Sequence, residues 1–221
     1  MWPLLRDFRH ESRHTADCAS FLAFSGELAA ANSPEGLLDC VTAFYQTRGV
    51  GLLGMGQVFR ARRTGNGAEL VPVEDRPPVR LADLVGYRQQ KDLLIRNTEA
   101  FLRGKGSNNV LLYGDAGTGK STSIQALVNE YADQGLRLIE LYKEQYDLIP
   151  DILRQVKGRN YRFLLFLDDL SFEENETSYK YLKAVMEGGA EAPPENVRIC
   201  ATSNRRHLVR EVWSDRSRYR A

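Results

Sequence analysis

Cysteine is scarce in this chain. There are three in 221 residues, Cys18, Cys40 and Cys200, which make neither a disulfide framework nor a set of paired zinc ligands. A reducing, cytoplasmic setting is therefore expected. Histidine is equally scarce at three residues. His10, His14 and Cys18 fall at i, i+4 and i+8 on one helical face, but no strong fourth ligand accompanies them, so they read as a solvated or packed face rather than a metal site. Long apolar runs are missing as well. The longest in the body of the chain is Phe163–Leu167, far short of the roughly 20 residues that cross a bilayer, and no membrane partner is expected. The opening residues, Met1-Trp-Pro-Leu-Leu-Arg-Asp-Phe-Arg-His, lack the apolar core of a secretory signal. Net charge is nearly absent too, at +1 from 30 Lys+Arg against 29 Asp+Glu. That balance argues against indiscriminate nucleic-acid binding while leaving room for a local basic patch.

An apolar fraction of 43% with 27% charged residues describes an ordinary globular protein. The length suggests one full domain with a smaller appendage. Composition changes character near residue 80. Before it, a helix is expected through Leu5, Phe8, Ala16, Ala19 and Leu22. Ser33-Pro34 supplies a cap and first-turn pair for a second helix carrying Leu37, Leu38, Val41, Phe44 and Tyr45. The glycine-rich run at 49–56 is too flexible for a stable helix. Residues 58–73, turning at Thr64-Gly65-Asn66-Gly67, read as a β-hairpin, and Arg76-Pro77-Pro78 reads as a linker. The expected division is thus a helical and hairpin region at 1–78 and an α/β domain at 79–221. From Leu81 onward, helices and short apolar strands alternate: helix 87–103, strand 110–113, helix to Tyr131, strand 136–142, helix 148–156, strand 163–167, a helix through Tyr179–Met186 and strand 197–201. This order predicts a three-layer α/β sandwich with a mostly parallel sheet.

The chemistry concentrates at three places. Gly114-Asp115-Ala116-Gly117-Thr118-Gly119-Lys120-Ser121 satisfies G-x4-GK[ST], with an apolar strand before it and an amphipathic helix after it. Glycines let backbone N–H groups converge on phosphate oxygens, and the helix adds its positive N-terminal end. Lys120 would neutralise the β/γ-phosphates, Ser121 would ligate Mg²⁺, and Thr122 could donate to the α-phosphate. About 50 residues on, the strand Phe163–Leu167 ends in Asp168-Asp169, delivering carboxylates to the crevice at the strand ends. Asp168 would hold Mg²⁺, and Asp169 would polarise an attacking water. A second acid matters for class, because a hydrolase must orient water whereas a small-molecule kinase has less need to. Thr202-Ser203-Asn204 closes the last strand, and Asn204 could sit between the γ-phosphate and Asp169.

These motifs resemble the AAA+ ATPase module over residues 81–210. Leu84-Val85-Gly86-Tyr87 resembles the adenine-side box that would place Val85 and Gly86 at the nucleotide. Gly114–Ser121 resembles the Walker A motif, Phe163–Asp169 the Walker B motif and Asn204 the sensor 1 position. The segments Asp168–Glu173, Leu182–Gly189 and Ala201–Leu208 more narrowly resemble a bacterial family of AAA+ ATPases of unknown function with a helical region ahead of the module. The resemblance implies ATP and Mg²⁺ as ligands and strand order 5-1-4-3-2. It also implies a homo-oligomer in which a neighbour's arginine reaches the γ-phosphate. The usual Walker B ends Asp-Glu, whereas this one ends Asp-Asp, one methylene shorter. A fifth strand, arginine finger and lid should follow Asn204, so the expectation is a shortened piece of a longer protein. Arg205, Arg206, Arg210, Arg216, Arg218 and Arg220, facing only Glu211 and Asp215, read first as a solvated tail. An inter-subunit contact is the second reading and nucleic-acid binding the third. The leading expectation is an Mg²⁺-dependent ATPase acting on a protein partner. The alternatives are an ATP-binding switch or scaffold with negligible turnover, and a nucleic-acid remodeller akin to helicase loaders.

Overall fold

The computed structural model describes residues 15–48, 52–65, 67–170, 172–173, 182, 193–204 and 209–210. The chain divides into two compact units between Met55 and Gly56. In the first, α1 (Thr15–Ala30), α2 (Pro34–Arg48) and the single turn α3 (Leu52–Met55) follow in order. Ser33 caps α2 as expected, its Oγ accepting the Gly36 N–H at 3.0 Å. Phe24 of α1 stacks on Phe44 of α2, ring centroids 3.7 Å apart. The glycine-rich run contains a helical turn at 52–55, where the sequence suggested none. His10 and His14 lie outside the described residues, as does the side chain of Cys18.

The second unit is built on a six-stranded sheet. Its strands are β1 (Val58–Thr64), β2 (Gly67–Pro72), β3 (Val110–Tyr113), β4 (Leu136–Leu141), β5 (Arg162–Leu167) and β7 (Val197–Ser203). Their order across the sheet is β2-β1-β4-β5-β7-β3. Every pairing is parallel except β1 with β2. The helices are α4 (Arg88–Leu102), α5 (Lys120–Tyr131) and α6 (Ile149–Val156). Counting β3 as the first strand of the phosphate-loop domain, the order β3-β7-β5-β4 reproduces the expected 1-4-3-2. Two further short strands, β6 (Phe172–Glu173) and β8 (Val209–Arg210), pair in parallel as a separate two-stranded sheet. The expected helix through Tyr179–Met186 falls outside the described residues apart from Leu182, which is buried.

Right-handed crossovers dictate the layers. The chain crosses the sheet from β3 to β4 through α5, then steps back from β4 to β5 through α6, so the two helices cover opposite faces. On the α5 face, Ile124, Leu127 and Val128 pack with Leu94 and Phe101 of α4 over Leu138, Leu164, Phe166 and Cys200. Strand β5 is buried at every position after Arg162, which explains its unbroken apolar run: both faces are covered, so no alternation is needed.

The hairpin corrects the expected division at residue 78. It is no appendage: β1 pairs with β4 through Val58↔Leu138, Phe59↔Ile139 and Arg60↔Glu140. Phe59 is fully buried and Val58, Ala61 and Leu70 nearly so. An isolated two-stranded hairpin cannot bury such residues and is marginal in water, so it finds its core by extending the larger sheet. The Pro-rich segment is no free linker either. Val73 and Val79 pack against the core, while the Asn129 amide of α5 donates to the carbonyls of Pro77 at 3.0 Å and Val79 at 2.9 Å.

Candidate nucleotide site

In a parallel α/β sheet, ligands bind outside the carboxyl ends of the strands. Three of those ends meet here: Gly114 after β3, Asp168 after β5 and Asn204 after β7. The loop between β3 and α5 holds Gly117 at φ 78° and Gly119 at φ 82°. A Cβ at Gly117 would meet nothing within 4 Å. Glycine is therefore required there by the left-handed backbone and not by crowding. The loop is braced from within by the Thr118 hydroxyl, which donates to the Asp115 carbonyl at 2.9 Å. It is tied to β7 by the Gly114 N–H, which donates to the Ser203 carbonyl at 3.2 Å.

Lys120 opens α5, and its ammonium donates to three oxygens: Gly114 O at 2.9 Å, Asp115 O at 2.7 Å and Asn204 Oδ1 at 2.9 Å. An ammonium has three protons to give, so this set uses its capacity. Asn204 in turn donates from Nδ2 to Asp169 Oδ1 at 2.8 Å. Next along the helix, the Ser121 hydroxyl donates to Asp168 Oδ1 at 2.6 Å. The Thr202 hydroxyl donates to the same carboxylate oxygen and accepts the Asp169 N–H at 2.9 Å. Asp169 itself sits at φ 52°, a left-handed conformation unusual for any residue but glycine.

The structure thus brings together Lys120, Ser121, Asp168, Asp169 and Asn204, five residues drawn from the start of α5 and the ends of β5 and β7. Asp115, Ala116 and Gly117 lie exposed on the loop, while Thr118, Gly119 and Thr122 are half-buried. Val85 is 94% exposed and Gly86 takes φ 81°; neither belongs to the hydrogen-bonded cluster. The backbone at Leu84 is instead held by Lys91, whose ammonium donates to the Leu84 carbonyl at 2.5 Å. A cavity of about 340 Å³ lies among α4, β3 and the loop, lined by Tyr87, Lys91, Leu111, Tyr113, Thr118 and Lys120 but not by Val85 or Gly86. Sequence reasoning gave no role to Thr202, nor to Lys91, Leu111 and Tyr113 of this lining. A threonine two positions before Asn204, and so on the same side of the pleat, was the one available signal for the former. Of the arginines beyond Asn204, only Arg210 is among the described residues, in β8.

The donor set is a hydroxyl and carboxylates, hard oxygen ligands that suit Mg²⁺. No group of three or more His, Cys, Asp or Glu side chains fit for a metal exists among the described residues. Cys200 on β7 is fully buried, and burial pushes its thiol up to about 12, so it is protonated and unreactive at neutral pH. Among the described residues no helix is long and apolar enough to cross a membrane.

A phosphate loop between β3 and α5, paired carboxylates after β5 and an asparagine after β7, on a sheet in this strand order, define a P-loop α/β module of the AAA+ type. Residues 55–221 match the family described as "Protein of unknown function (DUF815)", and the chain belongs to that family. Among curated proteins it is 36% identical over 90 residues to the replication factor C large subunit of Staphylothermus marinus, covering 40% of this chain and 21% of that protein. Among solved structures it is similar to the Holliday junction branch migration motor RuvB of Thermotoga maritima. That match has 19% identity and a TM-score of 0.41, covering 62% of this chain and 44% of that one. AMPPCP-bound DnaA from Aquifex aeolicus matches at 20% identity and a TM-score of 0.40, over 59% of this chain and 43% of that one. The chain therefore spans about a fifth of the length of the curated relative and less than half of these structures.

Proposed function

We propose that this protein binds ATP with Mg²⁺ and hydrolyses it, using the energy to remodel or regulate a protein partner as a homo-oligomer. The observation that carries this reading is the continuous chain of contacts Lys120–Asn204–Asp169 and Ser121–Asp168–Thr202. A cation, a hydroxyl and two carboxylates converge where a glycine loop can wrap phosphates. Phosphoryl transfer asks little covalent chemistry of a protein; it asks for positioning and charge neutralisation.

In this reading the loop amides and Lys120 grip the phosphates. Ser121 and Asp168 would hold Mg²⁺, which supplies charge neutralisation at the phosphate oxygens. Asp169 accepts the proton of the attacking water, and Asn204, bonded to both Lys120 and Asp169, keeps that water between base and γ-phosphate. The Asp-Asp ending is no bar to this role, because the left-handed backbone of Asp169 and its bond to Asn204 already aim the shorter arm into the cluster. Val85 and Gly86 remain the proposed adenine side.

Calorimetry of ATP binding with and without Mg²⁺, followed by steady-state phosphate release, tests the proposal. Tight Mg²⁺-dependent binding without release would favour the switch or scaffold reading instead. A second reading, nucleic-acid remodelling, draws on the likeness to a replication factor. The arginines of β1 do not favour it, since Arg60, Arg62 and Arg63 are each paired with an acid, Glu140, Glu69 and Asp147 respectively. Salt-dependent DNA binding would be its signature.

A further inference from the structure

The two carboxylates of the site are neighbours in sequence, yet the proposed chemistry needs them in different places, one on the metal and one on water. Beyond Leu167 the pleat of β5 no longer sets where adjacent side chains point, so the turn that follows must set it. In that turn Asp169 takes φ 52°, a conformation that Asp tolerates better than most non-glycine residues but that still costs free energy unless its surroundings favour it.

The group that favours it is Thr202. The residue is 2% exposed, and its hydroxyl has two neighbours of opposite need. The Asp169 N–H can only donate and lies 2.9 Å away; the Asp168 carboxylate accepts. One hydroxyl satisfies both, accepting from the first and giving its single proton to the second. The Thr202 carbonyl then accepts the Leu170 N–H at 2.6 Å, so one residue of β7 fixes three consecutive residues of the turn after β5. The carboxylate oxygen that Thr202 bonds is also the one that receives Ser121 and, more weakly, the Asp169 N–H at 3.2 Å. A carboxylate held by three donors on one oxygen cannot rotate freely.

We propose that Thr202 is a positioning residue whose hydroxyl locks Asp168 for the metal and Asp169 for water. This rests on reading the site as an Mg²⁺-dependent ATPase. It touches no substrate and acts through the two aspartates.

The test compares Thr202→Val, which keeps the shape and removes the hydroxyl, with Thr202→Ser, which keeps the hydroxyl. For each variant and for wild type, calorimetry measures the affinity of a non-hydrolysable ATP analogue with and without Mg²⁺, and phosphate release gives kcat and KM. The valine variant is expected to lose about tenfold or more of the affinity gained on adding Mg²⁺, from losing a hydrogen bond to a charged group. Its kcat should fall by at least a similar factor, while Mg²⁺-free binding stays at the wild-type value. The serine variant should lie within about threefold of wild type in both readouts, the scale of a contact kept but less well packed. Should the valine variant fail to fold, Thr202→Cys, close in size with a weak donor, reads the same loss. A merely structural role would lower the melting temperature without moving the Mg²⁺ dependence, and that result overturns the proposal. So does a serine variant as impaired as valine, or a valine variant equal to wild type. If wild type itself shows no Mg²⁺-dependent binding, the ATPase reading fails first, visibly and separately, and the role of Thr202 falls with it.

Discussion

Asp169 offers the sharpest test of how the site works, because its backbone and its side chain make separate demands. A left-handed conformation costs an ordinary L-residue about 1–2 kcal/mol, less for Asn and Asp, whose short polar side chains tolerate it. Asp169 at φ 52° is therefore a residue chosen by conformation as well as by charge. Asp169→Asn keeps the conformational tolerance, and an amide oxygen can still accept from Asn204 Nδ2, as the carboxylate does at 2.8 Å. Its stability should stay within about 0.5 kcal/mol of wild type. What it loses is a base. General-base catalysis contributes about 10²–10⁴ in rate, or roughly 3–5 kcal/mol of barrier, so kcat should fall by that range with ATP affinity little changed. Asp169→Glu makes the opposite exchange: the charge stays, the αL tolerance is lost and the carboxylate moves one methylene beyond Asn204. It should melt lower, by about 1 kcal/mol, and turn over more slowly than wild type even though Asp-Glu is the commoner ending. Phosphate release at saturating Mg²⁺·ATP, with thermal melting of the same preparations, decides the matter. An Asn variant within threefold of wild type, or a Glu variant both faster and more stable, would refute the reasoning.

Lys120→Ala should leave the fold intact and cost about 10- to 100-fold in ATP affinity, the worth of a hydrogen bond to a charged group; calorimetry reads it, and unchanged affinity would remove the phosphate-loop assignment. Phe59→Ala should destabilise the nucleotide-binding unit by about 3–5 kcal/mol, because Phe59 is fully buried in a strand of its sheet; a denaturation midpoint that does not move would return the hairpin to a separate region. Burial raises Cys200 from an ordinary value near 9 to about 12, so the folded state binds this proton more tightly than the unfolded state. Its contribution is intact below pH 9 and is lost as pH climbs from 9 towards 12. Tyr131, raised first by burial and then by Glu99, adds a loss of the same sign. Denaturant midpoints from pH 7 to 11 should therefore fall at the alkaline end, less steeply in Cys200→Ala, and native Cys200 should resist alkylation at pH 8.

The amino-acid sequence by itself determined everything whose chemistry is local. The glycines, Lys120 and Ser121 of the phosphate loop work through adjacent backbone and a helix start, so eight consecutive residues carry the whole signal. Strand β5 was legible because burial on both faces demands an unbroken apolar run ending abruptly in acids. Three decisions needed the tertiary structure. The hairpin at 58–72 looked independent because its alternation and turn are local, but the partner for β1 is Leu138–Glu140, some 80 residues away, and no pattern within the hairpin records that pairing. Arg76-Pro77-Pro78 looked like a linker from its prolines, yet Asn129 holds the carbonyls of Pro77 and of Val79 just beyond it, groups that every residue possesses and that composition cannot distinguish. Finally, Thr202 and the left-handed turn at Asp169 exist only as a pair. The two meet because parallel pairing sets β7 beside β5, which brings the hydroxyl to the N–H of the left-handed residue.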